Sequence, residues 1–334
     1  MSPESPRIAV VILHYKSVED TLVCLDSVAG STVQADWIIM VNNGNDDIRG
    51  LTDAMRAIGR ANGTAPFVLH ADTVEDVRVL LEKTDASYDD GKLFYIKAES
   101  NRGYGAGNNL GLTLALGLGA DAVWLLNNDT KVAPGALAAM RDKLFSDSSI
   151  GLCGPLIQYM DSPGTVQCRG GGWTNPWTCL SNLNGYHFPV EAAFEDDEAE
   201  IEADLNFIYG SAVMASRDFL TTVGLMDERF FIYCEEQDWA FRMGGRFTLA
   251  YASKAHVWHR EGVSTGWPAK AGNPFAVKHL IRSRLLLARK HNPAALPVVC
   301  LSIAFAIIRG LYRRVKKGVA PSRLPAYESA PREE

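Results

Sequence analysis

Nowhere in the 334 residues is there a run of 18 or more apolar residues, so no segment is expected to span a bilayer as a helix. No secretory leader is expected either. "MSPESPRIAVVILHY" opens with acid and proline where a leader needs a basic region, and its apolar run is short. The body of the chain is therefore expected in the cytoplasm. The six cysteines (24, 153, 168, 179, 234 and 300) form no C-x-x-C pair or small-domain framework. They read as reduced thiols, mostly core. One charge sign is absent from one end: between Gly262 and Tyr327 there are 12 Lys or Arg and no Asp or Glu. Residues 1–261 hold 20 basic and 36 acidic residues, a balance of −16, within a formal net charge of −6. A basic region this local does not suit a nucleic-acid groove, so no nucleic-acid partner is expected, but it does suit an anionic membrane surface. No internal repeat is present.

The composition is ordinary for a globular protein, 47% hydrophobic and 22% charged. Its length fits one large α/β domain with extensions, or two domains. "RIAVVILHY" (7–15) is a continuous apolar run, as in a strand buried on both faces. Helical patterns follow at 19–29, 51–61, 73–83 and 105–119, and strand patterns at 36–47, 66–70, 92–99 and 122–129. Pro134 suits a helix start. This alternation predicts a Rossmann-like, mostly parallel sheet flanked by helices over roughly the first 150 residues. Beyond it, the Gly-, Asn- and Trp-rich stretch 167–188 is expected to be a flexible, acceptor-contacting loop. The acidic run 191–204 is expected to be solvated surface. "FIYGSAVMAS" (207–216) reads as one strand and "RDFLTTVG" as a short helix.

"VWLLNNDTKV" (123–132) is a buried-strand pattern that stops at two amides and a carboxylate, Asn127, Asn128 and Asp129. An Asx turn would explain this locally. A ligand site at the carboxyl end of a parallel strand is the alternative. Right-handed crossovers would bring the polar strand ends at Tyr15, Asn43, Asn101 and Asp129 to a single crevice, which favours the site.

"SNRGYGAGNNLG" (100–111) approximates G-x-G-x-x-G, but Asn108 holds the sixth position and the turn follows a late strand. A nucleotide-facing loop fits it better than a dinucleotide fingerprint, because backbone N–H groups near a helix start suit phosphates. In "DERFFIYCEEQDWAFRM" (227–243), Asp238 and Arg242 are i,i+4 and expected to pair. Glu235 and Glu236 are adjacent and point in different directions, so only one need face the crevice. A carboxylate held against apolar walls and a second carboxylate has the raised pKa that a general base requires. In "HVWHREGVSTG" (256–266), either His256 or His259 can close a mixed oxygen/nitrogen metal site with Asp129, which suits Mn²⁺ better than Mg²⁺.

Taken in order, "VVILHY", "VNNGNDD", "NRGYGAGNNLG", "LLNNDT", "GSAVMASRDFLTTVGLMDERFFIYCEEQDWAFR" and "HREGVS" resemble inverting glycosyltransferase family 2, of GT-A fold. The resemblance is greatest to its bacterial rhamnosyltransferase-like branch and covers residues 7–290. It implies an α/β GT-A domain over 1–265, with a nucleotide-sugar half (1–150) and an acceptor half (151–265). A basic, membrane-associated helical extension (266–318) and a disordered tail (319–334) would follow. It implies a divalent cation, Mg²⁺ or Mn²⁺, on Asp129, with Asn127 where many members have Asp and with His259 reaching the metal. His14, Tyr15, Asn43, Asn101, Gly103, Asn108 and Asn128 would surround the nucleotide. Glu235-Glu236-Gln237-Asp238 stands for the family's E-D-x-D, which puts Glu236 at the base position, with Glu235 and Asp238 as its neighbours.

Three departures are visible. Asn42 stands where Asp is common, Glu replaces Asp as base, and the gap from Asp47 to Asn101 implies an insertion around 55–90. The implied donor is dTDP-rhamnose, or alternatively a UDP-hexose. The implied acceptor is a hydroxyl of a glycan or polyprenyl-diphosphate-linked glycan. A nucleotidyltransferase would need a Gly-rich loop directly after the first strand, which "LHYKSVED" lacks; a catalytically inactive sugar-nucleotide-binding module is the other rival. The apolar run 294–308, followed by Arg309, Arg313, Arg314, Lys316 and Lys317, is expected to lie on the inner face of the plasma membrane or to pack as a core helix.

Overall fold

A computed structural model describes residues 5–44, 49–61, 66–83, 92–194, 197–260 and 273–316. The expected tail (319–334), Lys317 and the 261–272 segment with its "EGVS" lie outside the described residues, as do parts of the expected insertion. In the first half, strands and helices alternate as β1 (Ile8–His14), α1 (Val18–Ala29), β2 (Trp37–Asn42), α2 (Arg49–Ala61), β3 (Phe67–His70), α3 (Val74–Lys83), β4 (Leu93–Lys97), α4 (Tyr104–Gly117) and β5 (Ala122–Asn127). The short β6 (Thr130–Val132) and α5 (Ala136–Leu144) follow.

The expected parallel sheet is present, in the order β3-β4-β2-β1-β5. All seven residues of β1 are buried. Ile8, Val10 and Ile12 enter one core layer, and Ala9, Val11 and Leu13 enter the layer on the opposite face. That is the two-sided burial its unbroken apolar run requires. Because β2 and β5 lie on opposite sides of β1, the strand order reverses there, opening the crevice in which such sheets bind ligands.

The second half departs from the sequence reading. β7 (Ile150–Tyr159), unmarked by any sequence signal, joins the same sheet, parallel to the later β13 (Thr248–His259). The stretch expected to be a flexible loop is ordered into β8 (Val166–Arg169), β9 (Gly171–Thr174) and β10 (Ser181–Leu183). Its glycines permit close backbone approach rather than flexibility. A Cβ on Gly171 would sit 1.9 Å from the Phe207 carbonyl oxygen, and one on Gly172 would sit 2.1 Å from that of Asn182.

The acidic run is not merely solvated surface either. Glu198 and Glu202 lie on or beside α6 (Glu198–Ala203) and both pair with Lys143. They also accept the backbone N–H groups of Ser253 and Tyr251, capping donors that β13 leaves unpaired.

The expected single strand 207–216 is broken into β11 (Phe207–Ile208), which joins β9 and β10 in a small second sheet, and β12 (Ala212–Ser216), which enters the main sheet antiparallel between β5 and β7. After α7 (Arg217–Val223) and α8 (Glu235–Met243), β13 leads to α9 (Pro274–His291) and α10 (Leu296–Lys316).

The α9 helix is bound to α8. The expected Asp238–Arg242 pair is present at 2.9 Å, and Asp238, with no exposed side-chain surface, also binds Lys290 and His291, each at 2.7 Å. Burial pushes its carboxyl up, but hydrogen bonds from His291 and Lys290 and the charges of Lys290 and Arg242 outweigh it, and its pKa falls below the ordinary value. Asp238→Asn is expected to destabilise the fold by about 3 kcal/mol at neutral pH, because it leaves buried cations without their counter-charge. A shift in the urea midpoint worth under about 1 kcal/mol, on the same scale, would show that this cluster does not hold α9. Since the pKa is depressed in the fold, this contribution is present above the unfolded value of about 4 and is lost as pH falls through the folded one.

Candidate active site

One crevice lies at the carboxyl ends of β1, β2 and β5. It brings together Tyr15, Asn43, Asn101, Gly103, Asn127, Asn128, Asp129, Glu235, Glu236 and His259 of the sequence-expected residues. His14, Asn108 and Asp238 are not on its wall.

The polar strand ends divide into residues that face the crevice and residues that hold its frame. His14 is fully buried, with Nδ1 2.8 Å from the Thr21 hydroxyl. Asn128 donates to the Lys16 carbonyl and to the same hydroxyl, both at 2.9 Å. Its amide therefore closes the turn after β1, where Lys16 and Ser17 adopt positive φ (59° and 48°). Asn43 donates to Asn101 Oδ1 and to the Gly103 carbonyl (3.2 and 3.0 Å), tying β2 to the glycine loop. Asn42 is turned to the Tyr95 hydroxyl (2.9 Å). Asn108 lies buried in α4 and donates to the Tyr104 carbonyl.

Gly103 has a positive φ of 106°, and a Cβ there would meet the Phe231 carbonyl oxygen at 2.5 Å. Tyr104 N–H donates to that same oxygen at 2.8 Å. The glycine loop thus docks directly on the segment leading into α8.

Within the crevice, Asp129 Oδ1 stands 3.2 Å from His259 Nε2, with the two side chains 6% and 5% exposed. β6 and β13 create this pairing: they run antiparallel with His259 opposite Thr130, one residue beyond Asp129. Gln167 presents Oε1 to His259 Nδ1 at 2.9 Å, so Nδ1 donates to Gln167 and Nε2 is the ring atom turned to the carboxylate. A carboxylate oxygen and an imidazole nitrogen meet there, donor types that suit a divalent cation. His256 is not involved; it stacks on Phe194 and contacts Gln158.

Among the described residues no group of three or more His, Cys, Asp or Glu forms a closed metal cage. A cation held here would take Asp129 and His259, with Asn127 beside them, and would leave positions open for ligand oxygens. The described lining also carries three carboxylates and no Lys or Arg. A diphosphate entering it needs a compensating cation, so the donor set fits a divalent metal.

The other two carboxylates of the lining are Glu235 and Glu236. Both line the crevice, although the sequence suggested that only one need face it, and exposure separates them. Glu235 is 1% exposed, and its Oε1 has no hydrogen-bond partner among the described residues. Burial, and then the charge of Glu236, push its pKa well above the ordinary value. Glu236 is half-buried; burial raises its pKa to about 7, against the opposing backbone N–H bonds of Glu236 itself and of Gly210. Tyr233 and Cys234, at φ of 71° and 69°, turn the chain into α8 immediately before this pair. Strain of that kind persists where the surrounding structure imposes it.

Residues that the sequence did not single out complete the site. The β11–β12 break delivers Gly210 to Glu236, and Tyr104 donates its hydroxyl to the Gly210 carbonyl. Phe231, Tyr209 and Phe275 supply apolar wall. Arg260, the neighbour of His259, pairs with Asp20 and Asp161.

No family model matches the chain. The N-acetylglucosaminyl-diphospho-decaprenol L-rhamnosyltransferases of Mycobacterium tuberculosis strains CDC 1551 / Oshkosh and ATCC 25618 / H37Rv are each 29% identical to it over 192 residues. The match spans 50% of this chain and 58% of each relative's length. Among solved structures, GalNAc-T7 with UDP, GalNAc and Mn²⁺ superposes with a TM-score of 0.56 at 14% identity, covering 86% of this chain and 48% of that one. The mannosyltransferase PcManGT from Pyrobaculum calidifontis, in complex with GDP-Man and Mn²⁺, gives 0.51 at 13%, covering 95% and 83%. The fold is that of GT-A glycosyltransferases, as the motifs implied. The expected likeness to rhamnosyltransferases is met by the curated relatives.

Proposed function

From the premise that this chain has the GT-A fold and shares sequence with rhamnosyltransferases, we propose that it is a metal-dependent inverting glycosyltransferase. The observation that carries this reading is that the Asp129–His259 pair and Glu236 line one crevice at the strand ends. When bound, a divalent cation (Mg²⁺ or Mn²⁺) held by Asp129 and His259, with Asn127 beside them, supplies charge neutralisation for a departing diphosphate.

The chain's own groups do the rest. Glu236, whose pKa of about 7 leaves it part-ionised at neutral pH, accepts the proton of an acceptor hydroxyl. The new O–C bond forms at the anomeric carbon as the bond to the diphosphate breaks, and the diphosphate leaves with the electron pair. A single displacement inverts the anomeric configuration. Gly210 N–H holds the Glu236 carboxylate in place, and Phe231, Tyr209 and Phe275 keep water from the reacting centre.

The donor we propose is dTDP-rhamnose, with a UDP-hexose as the alternative. The acceptor is a hydroxyl of a glycan, carried on a polyprenyl diphosphate as in the curated relatives, which would place the enzyme at the cytoplasmic face of a membrane. The test is incubation of the full chain with Mn²⁺, a lipid-linked N-acetylglucosamine acceptor, and in turn dTDP-rhamnose, UDP-galactose, UDP-glucose and GDP-mannose. Release of dTDP from the first, suppressed by EDTA, is the expected result. No nucleoside diphosphate from any donor would overturn the reading.

A further inference from the structure

From Leu296 to Ile308 the α10 helix carries no charge on any side, and only one side of this segment is covered. Ala295, Val299 and Ile303 are buried with Leu287 and Ala288 of α9 and with Phe230 and Cys234. On the outer side Val298, Leu301, Phe305 and Ile308 recur at intervals of three, four and three, which is one stripe along a helix. Leu301 is 71% exposed and Phe305 66%. A helix on the surface of a water-soluble domain carries polar residues there. Here the segment from Leu296 to Ile308 contains no charged residue at all. Ser302, its one polar side chain, is used internally, accepting from Arg284 at 2.6 Å. An exposed apolar surface of this kind marks an interaction site.

The charges flanking the stripe have one sign. Lys278, Arg282 and Arg289 of α9 and Arg309 of α10 are exposed. The sequence continues with Arg313, Arg314, Lys316 and Lys317, and no acidic residue occurs between Gly262 and Tyr327. A second copy of this chain would set two such basic regions against each other, whereas an anionic bilayer answers both the apolar stripe and the basic flank. Length sets the depth. The uncharged segment spans about 20 Å at 1.5 Å per residue, against about 30 Å of hydrocarbon. None of the described helices is long and apolar enough to cross.

We propose that the outer face of α10, flanked by the basic residues of α9, docks in the interface of an anionic lipid bilayer. This deepens the lipid-linked-acceptor reading and rests on it only for its purpose. Leu287 and Val299 share one buried cluster and Arg284 bonds Ser302, so α10 runs back along α9, toward the end where Phe275 lines the crevice. Docking therefore brings the crevice mouth to the lipid surface, where such an acceptor is held.

The probe is flotation of the full chain with vesicles of phosphatidylglycerol and phosphatidylcholine, or of phosphatidylcholine alone, without substrate. Binding is expected on the anionic vesicles at low salt, at least tenfold weaker on the neutral ones, and reduced as salt screens the charges. Leu301→Glu with Phe305→Glu should lower it at least tenfold while leaving the circular dichroism spectrum and Mn²⁺-dependent dTDP binding unchanged, since neither side chain enters the core. Failure of the parent to float on anionic vesicles at low salt overturns the proposal, as does equal flotation of the double variant. A parent that sediments as a dimer, does not float, and becomes monomeric in the double variant assigns the face to a second copy instead. Because flotation needs no turnover, it can fail while sugar transfer to a detergent-solubilised acceptor succeeds, and the reverse, so the two readings fall separately.

Discussion

Glu236→Gln is expected to lower kcat by about 10²- to 10⁴-fold, the contribution of a positioned general base, while dTDP binding survives. The amide is nearly isosteric with the carboxylate but cannot take the acceptor's proton. Glu235→Gln should be milder: burial and the charge of Glu236 raise the Glu235 pKa well above the ordinary value, which favours its protonated form, and a neutral amide mimics that form. The pH profile provides a second check. A base must be ionised, and the Glu236 pKa is raised to about 7, so kcat/KM should fall tenfold per unit as pH drops below about 7 and level off above it. Retention of more than about a tenth of activity in Glu236→Gln moves the base elsewhere. If Glu235→Gln is the inactive variant, the two roles are exchanged.

Asp129→Asn should reduce kcat/KM by about three orders of magnitude, equivalent to about 4 kcal/mol of transition-state stabilisation. The change removes the only negative charge from the pair with His259, and with it the electrostatic hold on a divalent cation. The carboxylate sits at a crevice wall rather than inside a packed layer, so the thermal midpoint should barely move. Mn²⁺ binding measured by calorimetry in the presence of dTDP gives a readout independent of turnover, and it should weaken at least tenfold. Unchanged Mn²⁺ affinity, or more than a tenth of parental activity, would remove Asp129 from the metal role.

Much of the first half of the chain was legible in the sequence because its signals are local. Unbroken apolar runs mark strands buried on both faces, helical patterns between them force parallel neighbours, and the polar residues at 15, 43, 101 and 129 mark where those strands stop. The second half was not legible in the same way. β7 is a strand in an otherwise mixed composition. The glycines at 171 and 172 read as flexibility, although they serve backbone-to-backbone approaches of 1.9 and 2.1 Å. The partners in those contacts, Phe207 and Asn182, are up to 36 residues away, and nothing at positions 171–172 announces them.

The sequence by itself determined that a parallel α/β sheet presents amides and carboxylates along one edge, that Asp238 pairs with Arg242, and that an apolar segment with a basic flank follows. Only the tertiary structure decided which polar side chains face the crevice. His14 turns away and the Asn128 amide is spent on closing the β1 turn, while Asp129, one residue on, meets His259 because β6 is laid antiparallel on β13. His259 is chosen over His256 by that register alone. Glu235, Glu236 and Asp238 occupy one helical turn, yet Asp238 is drawn to Lys290 and His291 of α9 while the two glutamates line the cavity. The physical reason is that a side chain's direction depends on the element packed against it: a residue's chemistry is written at its own position, but the partners of Asp129 and the α9 partners of Asp238 are supplied by chain 130 and about 50 residues away.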